Sequence, residues 1–197
     1  MESCARRIAL TGGIATGKSH CLAALVGCGA SVIDADTLAR DSVAPGSPGL
    51  AAVVARFGRQ VLRADGTLNR AALGHRIFAA PDERTALEAI IHPAVYDRVA
   101  RWFGALAVPA GVADIPLLYE TGRQTDFDLV IVAACEPEQQ LARLMARNQM
   151  SEADARARIA AQWPIARKAA LADHVIDTSG TVEQTQERTR AVWASIS

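Results

Sequence analysis

Short apolar runs punctuate this chain at Ile8–Thr11, Val32–Ile33, Val112–Ile115, Leu129–Cys135 and Val175–Ile176, with longer stretches of helical spacing between them. Strands alternating with helices predict an α/β fold: a parallel five-stranded sheet, doubly wound, with helices on both faces. In such a sheet the loops at the carboxyl ends of the strands form the ligand-binding edge. The interval from Ala35 to Ala110 shows helical periodicity alone, in Leu50, Val53, Val54 and Phe57, then Leu73 and Ile77, then Leu87, Ile90 and Ile91. It is too long for a simple crossover and predicts a helical insertion, residues 45–108, inside a single domain spanning 1–197.

Local punctuation refines this outline. Asp65-Gly66 predicts a turn, Pro81 with Glu83 the start of a helix, and His92-Pro93 a kink or break. Ser151 with Asp154 reads as a capping-box variant that opens a long helix rich in Ala and Arg.

Composition narrows the function classes. The 197 residues are 50% hydrophobic and 21% charged, with 21 basic against 21 acidic side chains. That balance excludes disorder and a generally cationic nucleic-acid binder. Neutrality is not uniform, however: Arg143, Arg147, Arg156, Arg158, Arg167 and Lys168 face only Glu152 and Asp154 in segment 143–168. The chain uses 19 Arg and 2 Lys, which reads as compositional bias without functional content. Cys4, Cys21, Cys28 and Cys135 form no CxxC pair and read as small apolar residues in a reducing compartment. Arg6-Arg7 lacks the apolar stretch of an export signal, and no run of 18 apolar residues follows; the expected location is the cytoplasm, without a membrane partner.

The segment Gly12-Gly13-Ile14-Ala15-Thr16-Gly17-Lys18-Ser19 matches G-x-x-x-x-G-K-[ST] between a predicted strand and a predicted helix. A loop wrapped around phosphates needs converging backbone N–H groups, and glycines permit the backbone to come that close. Lys18 can bridge β- and γ-phosphates, Ser19 can hold Mg²⁺, and the helix N-terminus adds partial positive charge. Phosphate binding alone does not separate a kinase from a GTP switch or a motor ATPase. No Asn-Lys-x-Asp guanine motif and no Leu-Ser-Gly-Gly-Gln transporter signature is present.

Other segments supply candidate partners. Asp34, Asp36 and Arg40 follow the second strand, where a carboxylate can accept a proton from an acceptor hydroxyl. Asp34 reads chiefly as a helix N-cap, so Asp36 is the candidate base. Asp114 lies within an apolar strand as a Walker B acid would, either a Mg²⁺ partner or one half of a structural ion pair. Arg147 is the candidate lid residue, while Arg156 and Arg158 read as a solvated face with pairs such as Asp154–Arg158. His20, His75, His92 and His174 make no metal constellation, and His92 reads as a packing residue. Trp102, Trp163 and Trp193 read as core or rim residues, with a stacking role for Trp163 left open.

Together these residues resemble the dephospho-CoA kinase family over nearly the whole chain. The resemblance is carried by Leu-Thr-Gly-Gly-Ile-Ala-Thr-Gly-Lys-Ser (10–19), Val-Ile-Asp-Ala-Asp with Ala-Arg (32–40), Phe-Gly to Asp-Gly-Thr-Leu-Asn-Arg (57–70), Ile-His-Pro (91–93), Pro-Leu-Leu-Tyr-Glu (116–120) and Ala-Asp-His-Val-Ile-Asp (172–177). It implies a P-loop fold of nucleoside-monophosphate-kinase type, with the insertion receiving the CoA part of the acceptor and residues 143–168 forming a lid. It implies ATP with Mg²⁺ as donor and dephospho-CoA as acceptor, phosphorylated on its ribose 3′-hydroxyl. The donor site then comprises Gly12, Gly13, Ile14, Ala15, Thr16, Gly17, Lys18, Ser19 and His20, with Ser19 and Asp114 toward the metal. By the same resemblance Asp36 is the base, Arg147 and Lys18 stabilise the transferring group, and Thr11, Arg40 and Leu118 join Asp36 and Arg147 on the acceptor side. His20, Ala15-Thr16 and Asn148 depart from the commoner Thr, Gly-Ser and Asp of the family. A monomer or weak homo-oligomer without nucleic acid is expected. A different small-molecule kinase of this fold, and an RNA-binding regulator using the 143–168 arginines, are the competing readings.

Overall fold

The computed structural model describes residues 5–197; Cys4 lies outside them. The chain forms two compact units, one from residues up to Ile33 with Phe103–Ser197, the other Asp34–Trp102.

The first unit is built on a five-stranded sheet in the order β2-β3-β1-β4-β5, with β1 at Arg6–Gly12, β2 at Ser31–Asp34, β3 at Ala110–Asp114, β4 at Leu129–Ala134 and β5 at His174–Asp177. Pairing is parallel, Leu10 standing opposite Asp114 on one side and Ile131 on the other. All five residues of β3 and the last five of β1 are buried, as strands covered on both faces must be. This is why they read as continuous apolar runs and not as alternations. The chain leaves β1 toward β2 and β3 on one side and β4 and β5 on the other, which opens a crevice beyond the carboxyl end of β1.

Helix α1 (Lys18–Gly27) and α9 (Val182–Ile196) cover this sheet through Cys21, Leu25, Ile196, Val192 and Trp193, packed on Ile8, Leu10, Val112, Ile131 and Ile176. Burial pushes the Cys21 thiol up, with a hydrogen bond to Thr189 only partly opposing it, so the residue acts as a small apolar side chain. After β4 come α6 (Pro137–Asn148), α7 (Glu152–Ala160) and α8 (Ile165–Ala170). The predicted long helix is thus two short ones. Pro164 disfavours helical backbone at Trp163, and the chain restarts at Ile165. Ser151 caps α7 by accepting the Asp154 N–H, but its hydroxyl donates to the Asp154 side chain, so no reciprocal box forms; that device occurs at Thr181 and Gln184, opening α9. Asp154 being so engaged, the ion pair across one turn of α7 is Arg156–Glu152 instead of Asp154–Arg158.

The second unit contains α2 (Ala35–Ser42), α3 (Pro48–Phe57), α4 (Arg70–Ala79) and α5 (Pro81–Gly104). Leu50, Val53, Phe57, Leu73 and Leu87 converge with Val43, Val61 and Leu68 in its core, matching the predicted periodicity. Asp65-Gly66 turns between Leu62 and Leu68, with Gly66 at φ +78° and the Asp65 carboxylate accepting from Thr67. His92-Pro93 does not end a helix: α5 continues through Pro93 to Gly104. Proline removes one backbone donor there, while Val95, Val99 and Phe103, one turn apart, are all buried and sustain the helix beyond it. His92 packs edge-on against Tyr96, ring centroids 5.7 Å apart.

Arg76 forks onto the Glu83 carboxylate and also donates to the Phe57 carbonyl at 2.9 Å, tying α3, α4 and α5 together. Those hydrogen bonds hold the Glu83 carboxyl below its usual range. A depressed folded pKa stabilises the fold above the unfolded value of about 4.3 and loses that contribution as pH falls through the folded value. Thermal melts from pH 7 to pH 3 are therefore expected to fall less steeply for Glu83→Gln than for the wild type; parallel curves would refute the coupling.

Candidate active site

β1 ends at Gly12 and α1 begins at Lys18, so residues 13–17 form a tight loop at the central strand of the sheet. A Cβ on Gly12 would stand 2.8 Å from the Ala133 carbonyl oxygen, and one on Gly13 2.7 Å from the Gln140 amide nitrogen. Thr16 closes the turn, its N–H and hydroxyl both reaching the Gly13 carbonyl at 3.3 and 2.9 Å. Gly17, in the left-handed region at φ +85°, caps α1 without a side chain, and the first turn carries no acid. The orphan N–H groups and dipole of α1 thus face outward from the loop, the arrangement that binds phosphate.

Neighbouring elements hold this shape. Gln140 on α6 donates to the Ile14 carbonyl at 2.8 Å, and Gln162, between α7 and α8, accepts the Ile14 N–H at 2.7 Å. The Thr178 hydroxyl, just after β5, is shared between the carbonyls of Thr16 and Ala134. Lys168 on α8 donates to the Gly12 carbonyl at 3.1 Å. None of these four lies in the phosphate motif, and sequence reading missed them. A signal existed for Gln140, a buried polar residue one turn before Leu144 on the covered stripe of α6.

Lys18 extends to Asp114 at the end of β3, and the two form an ion pair. Asp114 is buried, and an unpaired carboxylate in that layer would be costly, so the ammonium is its compensating charge. A cavity of about 380 Å³ opens beside the loop. Its wall includes Ala15, Gly17, Ser19 and His20 from the loop and α1, and Arg143 and Arg147 from α6. Arg143 is anchored on the Thr178 carbonyl at 2.8 Å, whereas Arg147 is exposed and bonded to its neighbour Asn148. Burial pushes the thiol of Cys135, beside Arg143, upward, keeping it protonated at neutral pH. Trp163 stacks on Tyr119, centroids 6.2 Å apart, with the Arg167 guanidinium 3.5 Å from its ring centre, so its stacking partners are protein groups.

The remaining candidates are not in the wall of that cavity. Asp34 accepts the N–H groups of Asp36 and Thr37 as the N-cap of α2; the strand stops there, which leaves Asp36 exposed in the first helical turn and Arg40 exposed in the last. Both belong to the second unit. Thr11 and Leu118 are fully buried in the first unit, Thr11 donating to the Pro116 carbonyl at 3.2 Å. Among the described residues no group of three or more His, Cys, Asp or Glu could hold a metal ion.

A parallel sheet with a glycine-lined phosphate loop at its central strand, followed by arginine-bearing helices, defines a P-loop kinase. The sequence profile of the dephospho-CoA kinase family matches residues 6–184. A dephospho-CoA kinase from Streptomyces avermitilis is 47% identical over 191 residues, 96% of this chain and 93% of the relative. In structure, TT1252 from Thermus thermophilus is similar at TM-score 0.84 with 30% identity, covering 98% of each chain. A dephospho-CoA kinase from Campylobacter jejuni is similar at TM-score 0.74 with 26% identity, covering 97% of this chain and 96% of that one. The chain belongs to the dephospho-CoA kinase family, whose members phosphorylate dephospho-CoA to CoA with ATP.

The loop itself offers a test of opposite sign at two positions. Ala15 holds φ +59°, a left-handed conformation that costs a non-glycine residue about 1–2 kcal/mol, while glycine adds under about 1 kcal/mol of unfolded-state entropy. Ala15→Gly is therefore expected to leave the melting temperature unchanged or raise it. Gly17→Ala meets Thr178 at 3.2 Å as well as the same strain, and is expected to lower it and to weaken ATP binding. Calorimetry of both variants checks this; a large loss from Ala15→Gly would contradict the strain argument.

Proposed function

We propose that the cavity between the phosphate loop and Arg143 and Arg147 is the ATP site, and that transfer to the ribose 3′-hydroxyl of dephospho-CoA proceeds in line with Asp36 as base. The observation that carries this reading is a cavity walled by Ser19 and the α1 N-terminus on one side and by α6 arginines on the other. Its volume of about 380 Å³ lies within the range of small-ligand sites.

In this reading the loop amides and α1 bind the triphosphate, and Lys18 exchanges Asp114 for β- and γ-phosphate oxygens. Arg147, exposed at the last turn of α6, neutralises charge on the transferring group as segment 143–168 closes and excludes water. Asp36 takes the proton of the attacking hydroxyl, and Arg40, one turn later on α2, orients the acceptor. The donors near the loop, the Ser19 hydroxyl and the Asp114 carboxylate, are hard oxygens that suit Mg²⁺, and too few to cage it alone, which fits a cation carried in on ATP. When bound, that cation would supply charge that neutralises the triphosphate. No helix among the described residues is long and apolar enough to cross a membrane, and we assign the enzyme to the cytoplasm as a monomer or weak homo-oligomer.

Asp36→Asn is expected to lower kcat by about 10²–10⁴-fold while the ATP Kd stays within about twofold. A coupled assay with ATP and dephospho-CoA, beside calorimetric ATP titration, reads both numbers; wild-type kcat would remove Asp36 from the mechanism. Lys18→Ala should weaken ATP binding and turnover together, and an unchanged rate would do the same for Lys18.

A further inference from the structure

Lys168 is wholly buried, a placement that an ammonium tolerates only with partners. Its three N–H bonds meet three acceptors: the Gly12 carbonyl at 3.1 Å, the Pro116 carbonyl at 3.2 Å and Glu120 Oε1 at 2.7 Å. Glu120 Oε1 also accepts the Trp163 N–H at 2.9 Å. One nitrogen on α8 thereby joins the start of the phosphate loop, the segment after β3 and the link that precedes α8. Because a trans peptide is planar, fixing the Gly12 carbonyl also fixes the direction of the Gly13 N–H. Six residues before Lys168, Gln162 holds the Ile14 N–H, so this short segment grips the loop at two consecutive peptides.

The composition acquires meaning at this point. A chain with 19 arginines keeps only two lysines, and both, Lys18 and Lys168, reach the phosphate loop or its partner acid. An ammonium points three donors from a single atom, whereas a guanidinium spreads five in a plane and cannot converge on acceptors grouped around one point.

We propose that Lys168 is a positioning residue for phosphoryl transfer: it never touches the nucleotide, but holds the entry of the phosphate loop in the shape that receives it. This rests on the loop being the ATP site. Removing Lys168 alone would leave Glu120, only 15% accessible, charged without its partner, so the informative variant is Lys168→Met with Glu120→Gln, in which the glutamine carbonyl still accepts the Trp163 N–H and no charge is stranded. Lys168→Arg, which keeps the charge opposite Glu120, is measured beside it.

Circular dichroism and melting establish folding, and KM for ATP with kcat are then determined under saturating dephospho-CoA. Loss of a charge-assisted hydrogen bond that shapes the loop is expected to raise the ATP KM by about tenfold in either variant. A residue that only stabilises the fold would lower the melting temperature and leave the ATP KM of the folded fraction unchanged. Wild-type ATP KM in a folded Lys168 variant would overturn the proposal. If the wild type itself fails to bind MgATP in calorimetry, the loop assignment falls first and this inference with it.

Discussion

Two positive charges held at low dielectric beside one loop constrain the rest of this structure. A buried ammonium or carboxylate is tolerated only when each finds an opposite charge and enough hydrogen bonds. Lys18 meets that condition through Asp114, at the end of a fully buried strand, and Lys168 through Glu120 and two carbonyls. The sheet order follows the same need, since β3 lies directly beside β1 and so brings Asp114 next to the strand from which the loop departs.

The two pairs differ in what they leave available. Lys18 and Asp114 retain some exposure, with side chains 17% and 8% accessible, so the ammonium can trade a carboxylate for a phosphate at modest cost. Lys168 has no accessible surface and no third party to trade with. One lysine is thus suited to follow a substrate through a reaction, and the other to keep the loop in place while that happens. Gln140, Gln162 and Thr178 serve the second purpose through neutral hydrogen bonds. Preorganisation of this kind lets phosphate binding proceed without reordering the backbone.

Much of this was legible in the sequence, and the reasons are local. Continuous apolar runs marked the buried strands, 3.6-residue spacing marked α3 to α5, and Gly12 to Ser19 marked the loop, because each depends on residues close together in the chain. The failures involved competition between local and tertiary forces. Pro93 argued for a kink or a break, and packing on the buried side of α5 carried the helix through it without a break. Ser151 argued for a reciprocal capping box, and the hydroxyl chose the Asp154 side chain instead. Thr11 and Leu118, placed on the acceptor side by the family resemblance, have buried side chains, a feature their spacing does not signal. Lys168 was invisible as an individual because its partners come from residues 12, 116 and 120, and no spacing rule links those positions.

With only two lysines in the chain, ¹³Cε-lysine labelling yields two side-chain resonances that can be followed separately by NMR. On titration with MgATP, the account expects the Lys18 signal to shift strongly as its partner changes from carboxylate to phosphate, while the Lys168 signal stays nearly still. A Lys18 signal that ignores the nucleotide, or a Lys168 signal that moves as far as Lys18, would contradict the division of labour between them.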